Sequence, residues 1–287
     1  MLEEHKKEII DLYVKQNISS ITIAKKFGVC TSSICRFLKK NNIEIRDPSH
    51  SKRKYKINEN IFETIDTPEK AYWLGLLYAD GCHLPKKNEI RISLQEIDKE
   101  ILDKLKEFLG YSGNLIFLNF KSKYPKWQNQ YKLQITNKKI SSDLLKHGFI
   151  SDKTYKLEFP LFLEEYLQSH FIRGFFDGDG SIYLSPFKKD YVRTGRFNIV
   201  APINFLDKIQ EIFIKNFNFK KNKYQYITNR NEFVKILCYS GNFKLSIIRD
   251  YLYKDSTIFL KRKKDKFDLI KTYRQKRNEF YLDKNNI

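Results

Sequence analysis

Two aspartates mark where this chain could do chemistry. Residues 73–81 read Trp-Leu-Gly-Leu-Leu-Tyr-Ala-Asp-Gly, and residues 172–180 read Ile-Arg-Gly-Phe-Phe-Asp-Gly-Asp-Gly. Asp80 and Asp179 fall at equivalent points of the two copies. In each copy small residues recur four apart, Gly75 with Ala79 and Gly174 with Gly178, so they share one helix face. Two such faces carry no bulky side chains and can pack backbone against backbone. Each aspartate then sits at the negative end of its helix dipole, where a carboxylate is disfavoured. A glycine follows it, Gly81 or Gly180, suited to the left-handed position after a helix. Two close carboxylates at two helix ends ask for a cation. Oxygen ligands select a hard one, Mg²⁺, with Mn²⁺ as its substitute.

The elements around the motifs occur in the same order twice. Thr67-Pro68-Glu69 starts a helix, with Thr at the N-cap and Pro in the first turn. After the first motif helix come a strand over Ile90–Leu94, a helix over Asp98–Leu109, strands around Asn114–Asn119 and Tyr131–Ile135, and a helix over Lys139–Lys146. The second half repeats this with Ser181–Leu184, Arg196–Ile199, a helix Ile203–Asn216, strands near Tyr224–Ile227 and Val234–Tyr239, and a helix from Asn242. Ile101-Leu102-Asp103-Lys104-Leu105 matches Phe205-Leu206-Asp207-Lys208-Ile209, so the duplication does not rest on the metal motif alone. Alternation puts Arg91, Ser93 and Gln95 on one side of a strand, Lys132 and Gln134 on one side of another, and Arg196 with Asn198 on a third. Arg, Gln and Asn are the side chains that read base edges.

The first 48 residues form a separate unit. Three helices are expected, within Glu4–Lys15, over Ile21–Phe27 and from Thr31 or Ser32 to Lys40, with a turn at Gly28 and Ser19 or Ser20 as a cap. Ala24, Gly28 and Ile34 fall where a helix-turn-helix wants a small contact, a tight turn and a core aliphatic, and the segment resembles domains of that type. Arg36, Lys39 and Lys40 would then lie on its recognition helix, and Cys30 and Cys35 read as core packing. Residues 49–60 are a basic linker, either laid along a nucleic-acid backbone or a plain tether. The halves span 61–158 and 159–287.

Both motif copies resemble the LAGLIDADG motif of homing endonucleases, and two copies in one chain resemble the monomeric, pseudo-symmetric members. The segment from Phe149 to Pro160, the run His170-Phe171-Ile172-Arg173-Gly174 and the stretch Leu252 to Phe267 carry the resemblance further. The first copy departs at its sixth position, where Tyr78 stands and the second copy has Asp177. The resemblance implies an α+β fold, a pseudo-twofold duplicated αββαββα core with antiparallel DNA-binding sheets, beside a small all-α helix-turn-helix domain. It implies metal held by Asp80 and Asp179 with the backbone carbonyls of Ala79 and Gly178. It also implies one catalytic lysine per half: Lys153 in the first and Lys263 in the second, unless Asp255-Ser256-Thr257 aligns with Asp152-Lys153-Thr154 and puts a serine there. His83 and Ser181 follow the motifs, facing the site's solvent or serving as loop residues. The implied activity is a metal-dependent double-strand break in a long DNA target by a monomer. Two alternatives stand beside it: a maturase acting on its host intron RNA, and a non-enzymatic regulator of transcription, a type that has lost the acids retained here.

Composition agrees with a polyanion partner. The 287 residues carry 54 Lys and Arg against 34 Asp and Glu, a net charge of +20. An AT-rich genome accounts for abundant lysine but not for the shortfall of acids. Four cysteines without CxxC spacing argue against structural zinc and for reduced thiols. No stretch is apolar enough to span a bilayer and none resembles a signal segment, so a cytoplasmic protein is expected, or an organellar one if the gene is organellar. Met1 and the Lys-Asn-Asn-Ile end do not suit intein splicing.

Overall fold

The computed structural model describes residues 2–16, 18–45, 55–185, 195–226 and 233–270. The chain divides into two compact units, Met1–Lys56 and Ile57–Ile287.

The first unit holds three helices, α1 (Lys6–Val14), α2 (Ser20–Lys26) and α3 (Thr31–Lys40). Ser19 caps α2 by accepting the Thr22 N–H, and Gly28 turns the chain at φ +65°, a conformation cheap only for glycine. Ile9, Leu12, Ile23, Ile34 and Leu38 meet in a core of their own. Two expectations fail here. The N-cap of α3 is Cys30, without a side-chain cap bond, rather than Thr31 or Ser32. Cys30 is exposed and Cys35 only half-buried, because Ile34, Phe37 and Leu38 already fill the inward face of α3.

The second unit contains the duplicated order αββαββα. Its first half runs α4 (Pro68–Asp80), β1 (Gly81–Leu84), β2 (Glu89–Gln95), α5 (Lys99–Phe108), β3 (Ile116–Leu118), β4 (Gln130–Thr136) and α6 (Lys138–Lys146). A short helix, α7 (Lys153–Lys156), follows. The second half runs α8 (Glu165–Asp179), β5 (Gly180–Leu184), β6 (Gly195–Pro202), α9 (Ile203–Phe217), β7 (Gln225–Tyr226), β8 (Val234–Ser240) and α10 (Asn242–Tyr253). Residues 261–270 are again helical. Asn58 N–H donates to Leu109 O at 2.8 Å, and Ile57 and Ile61 pack on this core, so the end of the expected linker belongs to the core.

Each half has one antiparallel sheet, ordered β1-β2-β4-β3 and β5-β6-β8-β7. The registers repeat: Gly81 pairs with Ile92 and Ile92 with Leu133, as Gly180 pairs with Ile199 and Ile199 with Leu237. Strand β1 is absent from the sequence expectation, since Gly-Cys-His-Leu lacks the β-branched run that marks a strand. Alternate residues of β2, Ile90, Ile92 and Leu94, are buried under the helices. In α4, every residue from Ala71 to Ala79 is buried, the mark of a helix enclosed on all sides.

Candidate active site

Helices α4 and α8 touch backbone to backbone. A β-carbon added at Gly75 would lie 2.1 Å from Phe171 O, and one at Gly174 would lie 2.0 Å from Tyr72 O. Near the C-terminal ends, a β-carbon at Gly178 would lie 2.2 Å from Ala79 Cβ and 3.0 Å from Asp80 Oδ2. The small-residue faces thus meet as their spacing predicts, and the last contact lays the Asp80 carboxylate over the other half's backbone. Gly81 and Gly180 are glycines for a different reason than expected. Both are extended, at φ −74° and −89°, as the first residue of a strand. Their side-chain space is taken: a β-carbon would lie 2.5 Å from Leu77 O at Gly81 and 2.1 Å from Phe176 Cδ2 at Gly180.

Burial governs the charges here. The Asp80 carboxyl is pushed up to about 6, by burial first and by the charge of Asp179 second. Burial raises Asp179 as well. Lys153 and Lys263 are both pushed down to about 8, again by burial first. The lysines occupy matching positions at the two helix ends, where exposed carbonyls and the dipole favour cations. Lys153 Nζ donates to Leu77 O at 3.1 Å and to Ala79 O. Lys263 Nζ donates to Phe176 O and Asp177 O at 2.6 Å, to Gly178 O at 3.1 Å and to Gly180 O at 2.6 Å. Ser256 is instead a local turn residue, donating to Tyr253 O at 2.8 Å. The attractions cross between halves. Lys263 is the stronger lysine influence on Asp80, and Lys153 is the stronger one on Asp179.

Among the described residues no three of His, Cys, Asp and Glu converge. The oxygens at the two helix ends are the carboxylates of Asp80 and Asp179 and the carbonyls of Ala79 and Gly178, which accept from Lys153 and Lys263. That set fits a hard cation such as Mg²⁺, completed by water or phosphate, and does not fit zinc.

The sixth motif position is buried in both halves. Asp177 is fully buried and accepts from Tyr72 Oη at 2.9 Å, Tyr253 Oη at 2.9 Å and the Leu260 N–H at 2.8 Å. Tyr78 Oη donates to His147 O at 2.5 Å. His83 also turns inward, which overturns any solvent role. Its Nδ1 bonds Phe149 O at 2.6 Å, its Nε2 bonds Ser141 Oγ at 2.8 Å, and its ring stacks on Phe149. The strand partner of Ser181 is Asn198, and its counterpart in the first half is Cys82, opposite Arg91.

The sheet residues share polar faces. Arg91 stands opposite Gln134, and Ser93 opposite Lys132. Gln95 and Arg196 are exposed, and Asn198 is partly so. Arg91 is also tied to Glu89 by an ion pair. In α3, Arg36, Lys39 and Lys40 are all exposed, and Lys40 pairs with Glu3 at 2.9 Å.

Sequence reasoning missed two features. Arg262 forms a bidentate pair with the buried Asp98, a long-range contact with no local signature. The loop between β3 and β4 exposes Tyr124 and Trp127, stacked at 4.9 Å, near exposed Lys121, Lys123 and Lys126. Its interleaved aromatic and basic residues were the available signal.

No protein-family model matches this sequence. The uncharacterized protein MJ0314 of Methanocaldococcus jannaschii is 28% identical over 190 residues, 61% of this chain and 66% of that protein. The match therefore spans just under two thirds of that relative's length. Among solved structures, a double mutant of I-SmaMI superposes with a TM-score of 0.50 at 13% identity, covering 75% of this chain and 93% of its own. The I-SmaMI LAGLIDADG homing endonuclease bound to cleaved DNA gives 0.49 at 12% identity over 76% and 92%, and the I-LtrWI LAGLIDADG homing endonuclease bound to target DNA gives 0.48 at 12% over 77% and 92%. The likeness to the I-SmaMI double mutant is one of fold: the duplicated core has the LAGLIDADG endonuclease architecture.

Proposed function

We propose that this chain is a DNA endonuclease that cuts both strands of a long target, acting as a monomer because one chain supplies both halves of the site. The observation that carries this reading is the backbone contact of α4 with α8, which brings the half-buried Asp80 and Lys153, the exposed Asp179 and the buried Lys263 to the point where both sheets begin. Nothing in folding alone rewards two crowded carboxylates at helix C-termini. A divalent cation bound there would polarise a phosphoryl oxygen, lower the pKa of a bound water and stabilise the leaving oxygen.

The protein's own groups have distinct tasks. Asp80 and Asp179 supply the negative charge that retains the cation, with the carbonyls of Ala79 and Gly178 as further oxygens. Lys153 and Lys263 place positive charge where a phosphate becomes more negative in the transition state. The polar sheet faces, through Arg91, Ser93, Gln95, Lys132, Gln134, Arg196 and Asn198, present donors and acceptors for base edges and phosphates. Trp127 and Tyr124 add stacking surface, and the net charge of +20 draws the duplex in. The first unit reads as a helix-turn-helix that adds affinity through Arg36 and Lys39 rather than chemistry.

The test is cleavage of a plasmid library of candidate sites in Mg²⁺, with the cut positions mapped on both strands. A linear product with a fixed sequence around the cut is the expected result. Tight DNA binding with no scission by the wild-type chain would instead indicate a regulator, and selective binding of a structured intron RNA a maturase.

A further inference from the structure

We propose that Arg262, clamped by Asp98, binds phosphate at only one of the two cutting positions, so that the strand beside Lys263 is cut before the other. This inference rests on the nuclease reading above and concerns what makes its two sites unequal.

Arg262 immediately precedes Lys263, whose ammonium sits on the carbonyls that end α8. Its guanidinium is held on one edge: Nε lies 3.0 and 3.1 Å from the two Asp98 oxygens, and Nη2 lies 3.0 Å from Oδ2. Asp98 is 6% exposed, while the arginine side chain is 44% exposed. A guanidinium carries five N–H donors in a planar fork, so the clasp leaves its Nη1 edge for an anion. Fixing the plane in advance also lowers the entropic cost of presenting it.

The first half has no such device. The residue before Lys153 is Asp152, exposed and in a left-handed turn at φ +53°. The residue matching Asp98, at the N-cap of α9, is Pro202. A duplicated frame thus carries a forked cation beside one lysine and an acid beside the other. Charge and donors both favour phosphate at the Lys263 side.

The bland alternative is that Asp98 and Arg262 merely clasp the two halves. Three variants separate the readings on a duplex whose strands carry different labels: Arg262→Gln, Arg262→Lys and Asp98→Asn, each compared with wild type in Mg²⁺. Wild type should nick one strand first, and Lys263→Met should identify that strand by slowing it. Arg262→Gln should slow the same strand about 10- to 100-fold, the scale of one lost electrostatic stabiliser, and leave the other within about twofold. Arg262→Lys keeps charge but not the fork, and Asp98→Asn keeps the fork but loosens it, so both should slow that strand by less. If Arg262→Gln does not fold, the lysine variant still reads strand preference. Binding without divalent metal gives a second readout, because one lost phosphate contact should reduce the log–log salt slope by about 0.9. Equal slowing of both strands, or an unchanged salt slope with a lower melting temperature, overturns the proposal in favour of the clasp. A wild-type chain that cuts neither strand at its bound site overturns the nuclease reading and this inference with it.

Discussion

In the first half the sixth motif position is Tyr78, which donates to the His147 carbonyl just past α6. In the second it is Asp177, which accepts from Tyr253 at the end of α10, from the Leu260 N–H and from Tyr72 across the helix pair. One position thus performs one task, pinning the chain at the end of α6 or of α10, with opposite hydrogen-bond polarity. The eighth position shows no such difference: it is aspartate in both halves, each at a helix end whose carbonyls accept from a lysine. A scaffold contact can be rebuilt by any pair of groups that satisfies its donors and acceptors. A group that must retain a cation cannot be replaced by one that donates. The halves therefore diverge at the sixth motif position, which holds the frame, and agree at the eighth, which ends each helix in an aspartate.

The sharpest way to break this comparison is at the aspartates. Asp80→Asn and Asp179→Asn keep shape and remove charge, and each should lower double-strand cleavage by about 10³-fold or more, the scale of losing a metal's transition-state charge. DNA affinity should hold, because the sheets are untouched. Plasmid linearisation compares the two variants, and full linearisation by either would end the assignment.

Lysine substitutions come next. Lys153→Met and Lys263→Met should each slow cleavage about 10²-fold. The wild-type rate should fall as pH drops below about 6, where Asp80 takes a proton, and as pH rises above about 8, where the ammoniums lose theirs. Cation binding lowers a carboxyl's pKa, so saturating Mg²⁺ should move the acid limb downward and leave the alkaline limb in place. An acid limb indifferent to Mg²⁺ would separate Asp80 from the cation.

Stability should respond to the same aspartate in the opposite sense. Asp80 is raised from its ordinary 3.8 to about 6, so the folded chain binds this proton more tightly than the unfolded one. Its contribution to stability is fully present below about 4, falls as pH rises to about 6, and is absent above. Asp80→Asn should therefore raise the metal-free unfolding free energy at pH 7–8, by up to about 3 kcal/mol, with the gain vanishing near pH 4. A loss of stability at pH 7 would show that the carboxylate is paired better than its burial implies.

The smallest effects test the scaffold. Asp177→Asn puts an N–H₂ among three donors and should cost about 2 kcal/mol, while Tyr78→Phe deletes one partner of one carbonyl and should cost about 1 kcal/mol. Denaturant unfolding measures both. Equal costs would show that the two pins are equivalent after all.

Much of this architecture was legible because its signals are local. Alternating Ile90, Ile92 and Leu94 announce β2, and Thr67-Pro68 announces α4. Duplication was legible because two segments repeat. Contacts across long stretches of chain were not. Nothing beside Asp98 points to Arg262, and nothing beside His83 says that its ring stacks on Phe149 rather than facing solvent. Strand β1 escaped because its pairing with β2, not its composition, makes it a strand.

The sequence by itself determined the two small-faced helices, the acid that ends each and the repeated order of elements, since these follow from spacing along one chain. Tertiary structure alone decided that Lys153 and Lys263 each sit on the carbonyls that end a motif helix. It also decided why Gly81 and Gly180 must be glycines, through contacts rather than positive φ, and that Lys263 rather than Ser256 stands opposite Lys153. The reason is physical: periodicity tells which face of an element is apolar, but close approach, burial and the charges that follow from burial exist only once distant segments are packed.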